Sequence, residues 1–132
     1  MVVGVGVDLV LISRIRRAME RWQDRFLRRV FTEEELAYSL RRRDPAEHLA
    51  ARFAAKEATL KALGTGLSMG VRWREMEVRR PGGGRPTLSL SGRTASLGAA
   101  RGIRAFHVSL THDGDYALAQ VVAEGVGRGA DP

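Results

Sequence analysis

The spacing of apolar residues changes along the chain, and each change marks an element. Val3, Val5 and Val7 alternate with small residues up to Asp8-Leu9-Val10, which predicts a buried strand over Met1–Val10. Ile15, Met19, Trp22, Phe26 and Val30 then recur every three or four positions. That is one stripe of a helix from Arg14 to about Val30, with Ser13 placed to cap it. Thr32-Glu33-Glu34-Glu35 has the form of a capping box and opens a short helix to about Arg43. Asp44-Pro45-Ala46-Glu47 repeats the device with proline at the first helical position, so a second helix runs from Pro45 to Leu63 and stops at Gly64.

After the glycines at 64, 66 and 70 the pattern turns strand-like. Strands are predicted over Trp73–Arg80, Thr87–Ser91, Ala105–Thr111 and Tyr116–Ala123, with a short helix over Thr94–Arg101. "PGGGRP" and "HDGDY" are the turns of the two strand pairs. The reading is an α+β fold, an antiparallel sheet packed with one long helix and shorter ones. One domain spans residues 1–124, and residues 125–132 form a loose tail.

Composition narrows the setting. No stretch approaches the roughly 20 apolar residues of a membrane span, and nothing resembles an export signal. With no cysteine, disulfides, thiolate metal sites and Cys nucleophiles are excluded. A cytoplasmic protein is expected. The formal net charge of +7, carried almost wholly by arginine, suits a polyanionic partner. An arginine-favouring genome explains part of that count but not where the charges lie.

They lie in two places. On the long helix, Leu49, Phe53, Leu60 and Leu63 form the stripe that must be buried. Lys56 projects near the middle of that stripe, Glu57 falls roughly 75° from its centre, and Arg52 and Lys61 flank it. Glu57 and Lys61 also read as an ordinary i,i+4 surface pair. Three cations around one carboxylate on a half-buried face instead suit a phosphate-bearing ligand with a divalent metal. A second carboxylate is then needed, and Asp8, which interrupts an apolar strand, is the candidate. A strand-end aspartate also commonly caps the next helix, though Ser13 is better placed for that.

The second place is residues 14–29, which hold seven arginines against Glu20 and Asp24. Arg14, Arg17, Arg21, Arg25 and Arg28 step by three or four and form a stripe beside the apolar one. A merely solvated face usually alternates in sign.

Several chemistries fall away. "GVGVDL" lacks the last glycine of a dinucleotide fingerprint, and "GGGRP" lacks the Gly-Lys-Ser/Thr ending of a phosphate loop. Ser109, His112 and Asp113 form no convincing triad, because no nucleophile elbow surrounds the serine. By residue chemistry alone, His112 reads as a turn histidine, and Asp113 and Asp115 as turn residues.

Asp8 in "GVGVDLV", Glu57 and Lys61 in "RFAAKEATLKALGTG", and the late "HVSLTHDGDYALAQVV" together resemble the holo-acyl-carrier-protein synthases. These are the short, single-domain branch of the 4′-phosphopantetheinyl transferase superfamily. "VFTEEELAY", "DPAEHLAARFAAKEA" and "GRPTLSLSG" add to the resemblance, which covers residues 1 to about 124. An early V-D followed at this separation by F-x-x-K-E-x-x-x-K is specific. The glycines at 82–84 and the tail are the only departures.

The resemblance implies transfer of 4′-phosphopantetheine from coenzyme A to a serine of an apo acyl carrier protein, with release of adenosine 3′,5′-bisphosphate. It implies Mg²⁺ held by Asp8 and Glu57, and Lys61 beside the pyrophosphate. Thr111 and His112 would lie near the coenzyme A phosphates, Arg52 and Lys56 would add cationic contacts, and Pro86 would meet the adenine. It also implies docking of the acidic carrier on Arg14, Arg17, Arg21, Arg25, Phe26 and Arg28, and a homotrimer with sites between subunits. Two other readings compete. A nucleic-acid-binding module would use the charge, but only 6% of residues are aromatic and no recognition motif is present. A Mg²⁺-dependent phosphohydrolase would use the carboxylates but not the basic helix.

Overall fold

In a computed structural model, which describes residues 1–126, the chain runs β1 (Val2–Leu11), α1 (Ile12–Trp22), α2 (Asp24–Val30), α3 (Glu33–Ser39), α4 (Pro45–Leu63), β2 (Met76–Arg79), β3 (Thr87–Leu90), α5 (Gly92–Ala100), β4 (Ile103–Asp113) and β5 (Tyr116–Gly125). The strands form two antiparallel sheets, β1-β5-β4 and the hairpin β2-β3. The α+β class follows as the sequence predicts.

Helix α4 lies at the centre. Thirteen of its 19 residues are buried, far more than the single stripe of large side chains. The excess is alanine: Ala50, Ala54, Ala55 and Ala58 are fully covered, as are Ala117, Ala119, Val121 and Ala123 on the facing side of β5. Small residues on both surfaces let helix and sheet approach closely. Closest of all is β1, where a Cβ at Gly4 or Gly6 would overlap the carbonyl oxygen of Ala62 or Ala58. The other side of α4 carries Leu49, Leu60 and Leu63 into the core beneath the remaining elements.

Strand β1 is therefore buried on one face only. Gly6 and Val10 turn inward, whereas Val5, Val7 and Leu9 are 54, 51 and 57% exposed. Of the alternating valines that suggested a covered strand, Val5 and Val7 point outward, whereas Val3 packs against the core.

Four further expectations need correction. The first helix breaks at Gln23, whose φ of 47° and ψ of −130° lie outside the helical region, so α1 and α2 are separate. No glycine or proline marks the break. Ser13 is not the cap residue; Leu11 holds that position without a side-chain bond. Asp44 likewise makes no cap bond and pairs instead with Arg16 at 3.0 Å. Trp73–Glu75 is a 3-10 turn, so only Met76–Arg79 of that segment is strand. The α3 capping box, by contrast, is complete: Thr32 and Glu35 cap each other's backbone N–H. At the other end, Gly64 closes α4 in the left-handed region at φ 77°.

Two residues of the segment expected to be a tail are hydrogen-bonded to the domain. Gly125 N–H donates to Met1 O and Val126 N–H to Gly102 O, each at 2.9 Å. The rest of that segment lies outside the described residues.

Replacing Gly6 by Ala tests the close strand–helix contact. Overpacking of this kind costs about 1–3 kcal/mol, so the urea midpoint should fall clearly. Gly82→Ala, where an added Cβ meets nothing within 4 Å, carries only backbone strain at φ 60°. A Gly6→Ala midpoint equal to wild type would show that α4 does not press on β1.

Candidate active site

The glycines that seat β1 on α4 also set the site. Asp8 follows Gly4 and Gly6 on the same inward face, and its side chain is 18% exposed. Lys61, one helical turn beyond Glu57 on α4, donates its Nζ to Asp8 Oδ1 at 3.2 Å and to Val7 O at 2.9 Å. Glu57 is half-buried. Burial pushes its pKa up, and the Asp8 charge pushes it further, while Lys61 and Arg14 pull it down. Two carboxylates from different elements thus stand close enough to repel, with Lys61 beside them.

Arg14 enters this group from α1, although the sequence pattern pointed to a docking role alone. The available signal was its short separation from Asp8: β1 ends at Leu11 and α1 starts directly at Ile12, so Arg14 sits in the first turn after the strand that carries the carboxylate.

The other cations of α4 go elsewhere. Lys56 is fully buried, with Nζ 2.7 Å from Glu35 Oε1, 2.8 Å from Val30 O and 3.0 Å from Trp73 O. An ammonium has three donors, and all are taken, so Lys56 has none for a phosphate. Burial lowers its pKa against the pull of Glu35. The assignment of Lys56 to coenzyme A is therefore corrected to a core ion pair. Glu35, the partner, passed in the sequence for a cap residue alone. It also accepts from Val78 N–H at 2.8 Å.

Arg52 is only 2% exposed. Its guanidinium stacks over the Tyr38 ring at 4.4 Å, Nη1 donates to His48 O at 3.4 Å, and Nε is buried without a partner. It lines a cavity of about 200 Å³ with Tyr38, Arg80 and Pro81, which neither Asp8 nor Glu57 reaches.

His112, near the end of β4, has Nε2 3.2 Å from Glu47 Oε1, and Thr111 beside it is exposed. Nearby His48 has its pKa lowered, first by burial and then by Arg52, with Glu47 opposing and His112 contributing. Pro86 lies half-buried between β2 and β3. Among the described residues, no hydrogen bond or ion pair joins Thr111, His112, Pro86 or Arg52 to the Asp8–Glu57 pair within the chain.

The basic stripe is divided by the break at Gln23. Arg14, Arg17 and Arg21 are exposed on α1, and Arg25 and Arg28 on α2 beside half-buried Phe26. Arg28 pairs with Glu33 at 2.6 Å. Trp22, assigned by its spacing to the buried stripe, is 47% exposed with Arg21 over its ring at 4.9 Å. Trp22, Arg25, Phe26 and Arg29 line one groove there.

Residues 4–121 match the family model described as the 4′-phosphopantetheinyl transferase superfamily. The chain is 53% identical to the holo-[acyl-carrier-protein] synthase of Syntrophotalea carbinolica over 92% of its own length and 95% of the relative's. Its fold superposes on the holo-[acyl-carrier-protein] synthase from Neisseria meningitidis with a TM-score of 0.86 at 35% identity, covering 94% of this chain and 99% of that one. It superposes with a TM-score of 0.76, also at 35% identity, on the enzyme from Bacillus anthracis solved in complex with coenzyme A (3′,5′-ADP), covering 95 and 98% of the two chains. The chain belongs to the 4′-phosphopantetheinyl transferase superfamily and, within it, to the holo-[acyl-carrier-protein] synthases.

Two outcomes follow from the charges of α4. Because the folded pKa of Glu57 is raised above 4.5, metal-free protein should lose stability as pH rises through that value. A carboxyl NMR titration should show a midpoint that falls in Asp8→Asn and rises in Lys61→Met; an unmoved midpoint in Asp8→Asn would separate the two carboxylates. For the core pair, Lys56→Met leaves the Glu35 carboxylate buried alone and should cost about 3–5 kcal/mol in urea unfolding. A loss within experimental error would mean that the pair is not what joins α3 to α4.

Proposed function

We propose that this chain transfers 4′-phosphopantetheine from coenzyme A to a serine of an apo acyl carrier protein, with Mg²⁺ at Asp8 and Glu57, and releases adenosine 3′,5′-bisphosphate. The observation that carries the reading is Lys61 against Asp8 at 3.2 Å, one helical turn beyond Glu57, whose carboxyl feels the Asp8 charge. The donor set of Asp8 and Glu57 suits the ion: Mg²⁺ takes hard oxygens, one or two carboxylates, and completes its shell with water and substrate phosphate. Burial first, and the Asp8 charge second, raise the pKa of Glu57, and a bound cation would offset both. When bound, Mg²⁺ neutralises the pyrophosphate and the charge that grows on the leaving phosphate.

The chain's own residues do the rest. Lys61, half-exposed at the rim, turns its ammonium toward the pyrophosphate. The serine oxygen attacks the phosphorus that bears pantetheine, and the bond from that phosphorus to the bridging oxygen breaks. The nucleotide leaves with both remaining phosphates, and the serine proton goes to Glu57 or to a water. Arg52, whose Nε lacks a partner beside an open cavity, supports a contact at the nucleotide end. Pro86 would meet the adenine there, and Thr111 with His112 the phosphates. Arg14, Arg17, Arg21, Arg25 and Phe26 would receive the acidic carrier, their charge speeding encounter and setting orientation.

The nucleotide residues and the carboxylates are not joined within one chain, which favours a homotrimer in which neighbours complete each other's sites. The exposed apolar face supports it. On β4 the outward positions are His107, Ser109 and Thr111; the apolar outward residues are Val5, Val7 and Leu9 of β1, with Leu118 and Val122 beside them on β5. A face of that kind suits closed cyclic assembly. Among the described residues no helix is long and apolar enough to cross a membrane, which fits a cytoplasmic setting. Neither the nucleic-acid nor the phosphohydrolase reading is favoured by the family to which the chain belongs.

Intact-mass analysis of apo carrier protein with this enzyme, coenzyme A and Mg²⁺ should show the gain of one phosphopantetheine. Asp8→Asn and Glu57→Gln should slow that gain at least a hundredfold while remaining folded. Near-native turnover of either variant at low Mg²⁺ would defeat the two-carboxylate site.

A further inference from the structure

Helix α1 starts without a cap of its own. Leu11 offers no side-chain bond at the N-cap position, and no acidic residue stands in the first turn. Helix-start N–H groups need acceptors from elsewhere. One residue far along the chain supplies them. The Asp115 backbone carbonyl accepts from Ile12 N–H at 2.8 Å. Its carboxylate accepts from Ser13 N–H at 2.9 Å and from the Ser13 hydroxyl at 2.6 Å. Gly114, at φ +57° beside open space, lets the β4–β5 turn bring Asp115 there. The negative charge also faces the positive end of the α1 dipole.

What this contact holds is the turn that carries Arg14. That residue follows Ser13 directly, is exposed, and lies near enough to Glu57 for its charge to be felt there. Further along, Arg16 ties α1 to Asp44 at 3.0 Å. The helix is thus fixed at its start and along its side before it breaks at Gln23. Thr111 and His112, in the same hairpin, do not depend on the Asp115 side chain. Their places are set by pairing with Leu118 and Ala117, and His112 is further held by Glu47.

We propose that Asp115 is a positioning residue for the carrier protein: it clamps the first turn of α1 so that Arg14 is presented in fixed relation to Asp8 and Glu57. The proposal rests on the transferase reading above. A surface ordered before docking loses less freedom on binding, so releasing the clamp should weaken use of the carrier and leave coenzyme A largely unaffected.

Steady-state kinetics with each substrate varied separately tests this on the wild type, Asp115→Ala, Asp115→Asn and Ser13→Ala. Asp115→Ala should raise KM for the carrier roughly fivefold, the scale of a lost cap, with KM for coenzyme A nearly unchanged. Asp115→Asn keeps an acceptor for Ser13 N–H and should restore most of the loss. Ser13→Ala removes only the hydroxyl bond and should fall between; it also decides the matter if Asp115→Ala does not fold. Equal rises in both KM values, an Asn variant as impaired as Ala, or unchanged carrier kinetics would each overturn the positioning role. A wild-type enzyme that leaves the carrier unmodified would sink the transferase reading itself, whereas an active wild type with indifferent variants sinks only the clamp.

Discussion

The rest of the structure depends on how closely α4 can lie on β1. Glycine at positions 4 and 6 leaves no side chain between the strand and the carbonyls of Ala58 and Ala62. That contact sets the height of the helix above the sheet and, with it, the distance between a carboxylate on the strand and one on the helix. The packing is made of small residues, so each contact is weak and there are many of them. Precision comes from the absence of atoms that could hold the two surfaces apart.

Two cation–carboxylate pairs on one helix then take opposite roles because of where they emerge. Lys56 points into the core, where an unpaired charge is expensive, and the fold answers with Glu35 and two backbone carbonyls. Lys61 leaves the helix at the rim, beside Asp8, where water screens the pair and its strength is small. The buried pair is committed to holding elements together. The rim pair can exchange partners at little cost, which a group that must meet an incoming phosphate needs.

Much of this was legible in the chain. The bounds of α4 follow from Pro45 and Gly64, and the α3 capping box from Thr32 and Glu35, because those residues act within one turn of themselves. Asp8 and Glu57 stood out because charge is rare on faces that must be covered. What escaped the sequence depends on contacts distant along the chain. The break at Gln23 has no glycine or proline to announce it. Lys56 was rightly placed at the centre of an apolar stripe, but its partner lay in another helix. Asp115 looked like an ordinary turn residue until its acceptors met α1. For β1, alternation was clear, yet which face was inward depended on glycines that no hydrophobicity pattern counts as core.

The bond from Val78 N–H to Glu35 has a bearing on the β2–β3 hairpin. Two strands alone are marginal, and a connection containing three successive glycines does little to dictate which residues pair. A slip of one residue would turn Val78 and Leu88, both buried, toward solvent. The carboxylate grips the free edge of β2 at one residue, so sliding would forfeit a buried hydrogen bond as well as the side-chain faces. Alignment is thereby fixed from outside the hairpin. The glycine connection is released from that duty, and its length and composition can drift between relatives without disturbing the strands it joins.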